Sequence, residues 1–217
     1  MNIDENDKII TAMTEKNKLD ENDVNMLLQL SQSREPEIRA YTAELLVKAN
    51  DDKAEKILID MCEDEDELVR VNACDSLCAF ASAETYERLA KSFLTDRSLL
   101  VKRYALLSII DIMNDIKIDR EKLKSFFISN VNTEDLGICA ACFKGLYLMG
   151  EEKYLDRLLN LTKSENYQDR CMVLNILEDI ITEKNKECIL SAVKELRKAE
   201  SSNAVNSIID RIMMENL

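Results

Sequence analysis

The 217-residue sequence contains no histidine and no tryptophan, one proline and three glycines. Without an imidazole, Ser-His-Asp and Cys-His hydrolysis, the usual His-bearing zinc sites and facial-triad iron are excluded. So few Pro and Gly leave little material for β-turns, while 46% hydrophobic residues suffice to bury a core, so a mostly helical protein is expected. Long apolar runs are missing too. The longest, Ile138 to Phe143, falls far short of the roughly 18 residues that suggest a membrane span. Residues 1–7 are acidic and lack the basic and apolar regions of a secretory signal, so a cytoplasmic location is the expectation. Seven cysteines, an odd number in a chain long enough to fold without cross-links, fit reduced thiols, and the single Asn160-Leu-Thr triplet reads as chance.

Basic residues are the scarcer charge. The 42 acids and 29 bases give a formal −13, and 23 of the acids against 12 of the bases lie in residues 1–100, so −11 of that charge belongs to the first half. Such a field repels nucleic acid and anionic membrane, attracts basic partners and weakens with salt.

The sequence also repeats itself. The phrase acid-x-x-(Val/Ile)-(Arg/Lys)-x-x-small-x-x-x-Leu occurs at Glu35 to Leu46, Asp66 to Leu77, Ser98 to Ile109, Asp135 to Leu146 and Asn166 to Leu177. In register, the basic column reads Arg39, Arg70, Lys102, Cys139, Arg170. Four residues earlier stand Glu35, Asp66, Ser98, Asp135 and Asn166, mostly residues that favour a helix N-cap or first turn. Three residues later stand Thr42, Ala73, Ala105, Cys142 and Val173, small enough for two helices to approach. Seven later stand Leu46, Leu77, Ile109, Leu146 and Leu177. Apolar residues such as Val69, Ala73, Cys74, Leu77 and Phe80 make one helical stripe, so each copy predicts an amphipathic helix. Shorter amphipathic stretches lie between the copies, each with an acidic start: Asp20, Asp52, Glu84, Asp119 and Glu151. With a leading helix near 4–16 and a last pair near 184–198 and 202–215, about thirteen helices are expected in one array.

Helix pairs of this length, whose second helix opens with acid, Val-Arg, small and Leu, resemble HEAT repeats, close kin of armadillo repeats, over roughly residues 20–217. The resemblance implies an all-α fold, a right-handed α-α superhelix of about six helix pairs plus an N-terminal helix. One domain over 1–217 is expected, with a capping helix over 1–19 and repeats over 20–50, 51–82, 83–117, 118–150, 151–182 and 183–217. It also implies that the acids and Arg39, Arg70 and Arg170 form a ladder along the turns, so that these arginines serve the fold. Two copies depart from the pattern: Cys139 stands in the basic column of the fourth, and Asp169 replaces the Val or Ile of the fifth.

Cys139-Ala-Ala-Cys142 and the i,i+4 pair Cys74 and Cys78 could be imagined as a zinc or redox site. The columns favour buried small hydrophobes, since Cys142 replaces Ala73 and Ala105, and Cys74 shares a column with Ala43, Leu106, Phe143 and Leu174. No metal is expected. Cys139, near a helix start, is the thiol expected to react most readily. The run Glu63 to Glu67 has no Gly and no downstream bidentate Glu for a calcium loop, and reads as charge at a helix N-terminus or as the apex of an acidic docking edge.

The informative surface is the side of the second helices opposite the stripe. It carries Tyr41, Glu44 and Lys48, then Asn72 and Asp75, then Tyr104, Leu107 and Asp111. Tyrosines beside carboxylates and an amide form a ridge able to stack on and hydrogen-bond a cationic group. The candidate partner-binding residues are therefore Tyr41, Glu44, Asn72, Asp75, Tyr104 and Asp111. The leading reading is a non-enzymatic interaction module whose acidic concave N-terminal half binds a basic protein or peptide, rather than nucleic acid or a membrane. No catalytic residue or cofactor is expected, and the oligomeric state is left open. A sharper alternative is an immunity or antitoxin-like inhibitor that masks a basic nuclease toxin. Among enzymes of similar fold, HEAT-like DNA glycosylases need a basic, aromatic-lined groove and deoxyhypusine hydroxylases need His-Glu ligands, neither present here. A HEAT-like bilin lyase or chaperone stays open as an alternative.

Overall fold

The computed structural model describes residues 3–49 and 51–216, with side chains from Asn6 onward. Among the described residues there are thirteen α-helices and no strand. After α1 (Ile3–Thr14) they alternate as first and second helices of six pairs. The first helices are α2 (Glu21–Leu30), α4 (Asp52–Met61), α6 (Ala83–Thr95), α8 (Arg120–Asn130), α10 (Lys153–Leu161) and α12 (Lys186–Arg197). The second helices are α3 (Pro36–Leu46), α5 (Glu67–Ser76), α7 (Leu99–Ile112), α9 (Leu136–Leu148), α11 (Tyr167–Asp179) and α13 (Asn203–Asn216). The chain divides into two compact units, Met1–Ile118 and Asp119–Leu217. In the first unit α3 packs on α5 and α5 on α7, with α1 against α3. In the second, α9 packs on α8, α10 and α11, and α13 on α11 and α12.

The second helices start where the sequence places their caps. Asp66 accepts from the backbone N–H of Leu68 and Val69, Ser98 from Leu100 and Val101, Asp135 from Ile138 and Asn166 from Gln168. Each bond satisfies an N–H that the first turn leaves without a helical partner. Glu35 differs: its side chain makes no cap bond, Pro36 fills the first helical position, and the carboxylate instead accepts from Ser33 Oγ at 2.7 Å. The next two columns are the core. Thr42, Ala73, Ala105, Cys142 and Val173 are wholly buried, as are Leu46, Leu77, Ile109, Leu146 and Leu177. Burying each large aliphatic side chain contributes about 1.5–3 kcal/mol. At the ends, Met13 of α1 and Val205, Ile209 and Ile212 of α13 are buried, with Ile208 only partly so.

The arginine ladder exists, and its geometry refines the expectation. Arg39 donates through Nε and Nη2 to both oxygens of Asp64, at 2.7 and 2.8 Å, and through Nη1 to the Ser33 carbonyl at 2.8 Å. Arg70 does the same to Asp96 and to the Asp64 carbonyl, and Arg170 to Glu200 and the Ser164 carbonyl. The acid is therefore not the N-cap of the same repeat. It stands two residues before the next helix cap, where Asp64 also accepts from Asp66 N–H and Asp96 from Ser98 N–H. Each arginine thus ties its own turn to the following one. The acid position holds Thr133 after Lys102 and Ser164 after Cys139, so the bidentate rungs are those of Arg39, Arg70 and Arg170.

Gly145 sits inside α9, where glycine costs about 1 kcal/mol relative to alanine. A Cβ there would lie 2.8 Å from Cε2 and Cζ of Phe127, whose ring is wholly buried on α8. The missing side chain lets α8 approach. Gly145→Ala should therefore destabilise the protein by about 1–3 kcal/mol despite its better helix propensity, because the added methyl forces a wholly buried ring to shift. Urea unfolding monitored by circular dichroism would check this, and a stabilised variant would refute the close-packing explanation.

Candidate functional site

The six ridge residues fall on three successive second helices of the first unit. Tyr41 is 54% exposed on α3, and Glu44, Asp75 and Asp111 are exposed on α3, α5 and α7; Asn72 and Tyr104 are half-buried. Asn72 Nδ2 donates to Glu44 Oε1 at 2.7 Å and to the Ala40 carbonyl at 3.3 Å, so it bridges α5 to α3 and fixes the Glu44 carboxylate. The Asp75 carboxyl reaches solvent yet is crowded by protein; burial first, then the carboxylates of Asp111 and Glu44, push its pKa up. Burial and the nearby Asp75 raise the Tyr104 phenol as well. Glu44, Asn72, Asp75, Tyr104 and Asp111 are thus brought together, whereas Tyr41 shares their face without a bond to any of them.

Lys48, the only base of that ridge in the sequence, is turned away. Its ammonium donates to the carbonyls of Thr14 and Lys16 at 2.7 and 3.0 Å, beyond the C-terminal end of α1 where a cation is favoured. The matching face of the second unit neutralises itself instead. Buried Lys144 pairs with Asp179 at 3.3 Å, and Arg211 donates to both oxygens of Glu178 and to Asn175. Negative charge is gathered on the ridge of the first unit, where Asp111 and Glu44 both act on Asp75.

Most of the acidic run before α5 is bonded within the fold, while the Glu65 side chain is exposed. Arg88 and Lys91 bond Glu63 and hold its pKa at about 2. Asp64 belongs to the ladder, Asp66 caps α5, and Glu67 accepts from Ser98 Oγ at 2.6 Å.

Cys74 and Cys142 are buried as their columns predict, but burial does not extend to most of the thiols. Only Cys62, Cys74 and Cys142 are buried; Cys139 and Cys171 are half-buried, and Cys78 and Cys188 exposed. Cys139 is not activated by its helix start: burial pushes its thiol up, and its Sγ lies 3.2 Å from the Thr133 carbonyl, an acceptor. Cys74 meets Cys62, a contact the sequence analysis missed, and the Sγ atoms are 3.8 Å apart. Among the described residues no group of three or more His, Cys, Asp or Glu could hold a metal ion, and no helix is long and apolar enough to cross a membrane.

Several clefts lie away from the ridge. One, of about 390 Å³, opens between α2 and α4 and is bounded by the ladder pair Arg39 and Asp64, with Asp60 and Glu65 also on its wall. Another, of about 490 Å³, is lined by Leu159, Thr162, Ala192 and Leu196 of α10 and α12 and their ends, with Lys163 and Glu195. A third, of about 440 Å³, lies beside Asn6, Gln29 and Glu35.

Comparison with known proteins places the architecture. A family model described as HEAT repeats matches residues 24–110. No curated protein matches the sequence. The CpcE–CpcF complex of phycocyanin lyase from Nostoc sp. PCC7120 is similar in structure, with a TM-score of 0.62, 16% identity, and coverage of 96% of this chain and 86% of that one. The Escherichia coli protein YibA is similar with a TM-score of 0.55, 14% identity, and coverage of 95% and 71%. At such identities the likeness speaks for the fold. Residues 24–110 match HEAT repeats, and the fold of the chain is that of a HEAT-like repeat α-solenoid.

Proposed function

We propose that this HEAT-repeat scaffold acts without catalysis and binds a basic protein or peptide along the ridge of α3, α5 and α7. The observation that carries the reading is the Glu44, Asp75 and Asp111 cluster, three carboxylates on successive second helices that lie close enough for Asp111 and Glu44 to act on Asp75. A cationic side chain placed there would relieve the repulsion and lie beside Tyr104. Its sharper form is an inhibitor that covers the nucleic-acid site of a basic nuclease by presenting carboxylates where phosphates would lie. Nucleic acid and anionic membrane are disfavoured by the same charge.

The test is a set of binding isotherms on a partner recovered by pull-down. Glu44→Lys combined with Asp75→Lys should weaken binding roughly 10- to 100-fold at low salt, about 1.5–3 kcal/mol, with a smaller loss at high salt. Tyr104→Ala should act mainly on the off-rate. Unchanged affinity in the double reversal, together with loss of binding on changes to the first helices or to the second unit, would reject the ridge.

The fold comparison favours a second reading, in which the chain works as a bilin lyase-type protein. The similar Nostoc structure is a complex of two chains of a phycocyanin lyase, and the likeness runs over nearly all of this chain. Incubation with a bilin and an acceptor phycobiliprotein separates the two readings: covalently attached chromophore supports the lyase, and none supports the scaffold.

A further inference from the structure

Two buried sulfurs meet at the joint between α4 and α5. Cys62 ends α4, Cys74 lies within α5, their Sγ atoms are 3.8 Å apart, and both side chains are wholly out of water. The same two positions, twelve residues apart, hold Ser31 and Ala43 in the first pair and Thr162 and Leu174 in the fifth, so packing at this joint does not demand sulfur. The surroundings are polar in a directed way. Ser92 of α6 stands near Cys74, and Ser92 Oγ accepts from Arg88 Nη2 at 3.3 Å. The same Nη2 reaches the Cys62 carbonyl at 3.5 Å, and Arg88 Nε is buried with no acceptor. Outside this group, the exposed Glu63 carboxylate is bonded by Arg88 and Lys91 and forms a clasp over the thiols.

We propose that Cys62 and Cys74 form an oxidisable dithiol, a modification site whose reagent is a peroxide and whose thiolate is supported by Ser92 and Arg88. Buried apolar thiols are ordinarily inert, because burial opposes ionisation. Here the contact with Cys62 first, and then Ser92 and the Arg88 charge, lower Cys74 against the opposing effect of burial. Cys62 is pushed up by the contact with Cys74 and by burial. An Arg Nε–H without an acceptor beside this pair is a donor waiting for a charge that the resting dithiol lacks.

The chemistry balances. The Cys74 thiolate attacks one oxygen of hydrogen peroxide, the O–O bond breaks, and hydroxide leaves and takes up a proton, giving a sulfenic acid and water. Cys62 then gives up its proton and attacks the Cys74 sulfur; the S–O bond breaks, and a second water leaves as the S–S bond forms. Two thiols have lost two electrons to one peroxide.

The experiment uses the full chain with Cys78→Ser and Cys188→Ser, which removes the exposed thiols. After hydrogen peroxide treatment and alkylation, peptide mass mapping should find residues 62 and 74 joined, lighter by two hydrogens and restored by dithiothreitol. Cys142 supplies the internal control, equally buried but held at about 12 by burial with no thiolate support, and it should remain alkylatable. Ser92→Ala should slow the cross-link about tenfold, because the rate follows the thiolate fraction. Added salt should speed it by loosening the exposed Glu63 clasp. In Cys62→Ser, dimedone should trap a sulfenic acid on Cys74. If that variant does not fold, the map of the unaltered pair decides alone. Persistence of both thiols, or oxidation no faster than that of Cys142, overturns the proposal.

Discussion

Arg70→Ala should cost about 3–5 kcal/mol of stability, the loss expected when one partner of a buried ion pair is removed. The Arg70 side chain is 6% exposed and that of Asp96 9%, and the guanidinium holds both carboxylate oxygens as well as the Asp64 and Glu65 carbonyls. Truncation would leave a carboxylate and two carbonyls short of donors in a place where water cannot fully replace them. Removing the charge from the other side is gentler, since Asp96→Asn keeps an acceptor for Ser98 N–H. The control is Lys102→Ala, in the same column but half-exposed, which should shift stability by under about 0.5 kcal/mol. Urea unfolding at neutral pH measures all three. If Arg70→Ala costs no more than Lys102→Ala, the ladder is decoration and the small and aliphatic columns alone hold the turns together.

That contrast also shows where the sequence is legible. The repeat columns carry the helices, their caps and the core, because each column meets one constraint in every copy: Asp66 or Ser98 must satisfy first-turn N–H groups, and Ala73 or Ala105 must let helices approach. The ladder acids were misassigned to the caps because Asp64 and Asp66 both precede α5, and only the geometry shows which of them faces Arg39. Helical periodicity is enough to put Glu44, Asn72, Asp75, Tyr104 and Asp111 on the second helices side by side, as their mutual contacts require. Their partners were not legible. Nothing local tells that Lys48 turns back to α1 or that Asn72 holds Glu44, because both depend on which helix lies alongside. The thiol pair escaped for a related reason: Cys62 and Cys74 are joined across a turn by a spacing of twelve, outside the i,i+3 and i,i+4 intervals that a single helix offers.

Acid should unfold the protein by way of the ladder, and the ridge should respond with the opposite sign. Burial raises Asp64 and Asp96, but Arg39 and Arg70 with the turn N–H groups outweigh it and hold both below their ordinary value; Glu200 is lowered first of all by Arg170. A carboxyl lowered in the folded state contributes stability that is complete above its unfolded pKa, about 4, and is lost as pH falls through the folded value. Melting temperature should therefore hold steady near neutrality and drop steeply below about pH 4. Asp96→Asn should lower the neutral plateau and flatten that drop. Asp75 is raised instead, so its ionisation removes stability as pH climbs from about 4 through its folded value. Asp75→Asn should thus melt higher than the parent at neutral pH and match it near pH 3, where both carry an uncharged side chain. The same variant should bind a basic partner less well. A gain in stability coupled to a loss of binding is what a charge kept for recognition produces. An Asp75→Asn protein that melts at or below the parent at neutral pH would mean that Asp111 and Glu44 do not strain the ridge, and would remove the electrostatic reason for placing a cationic partner there.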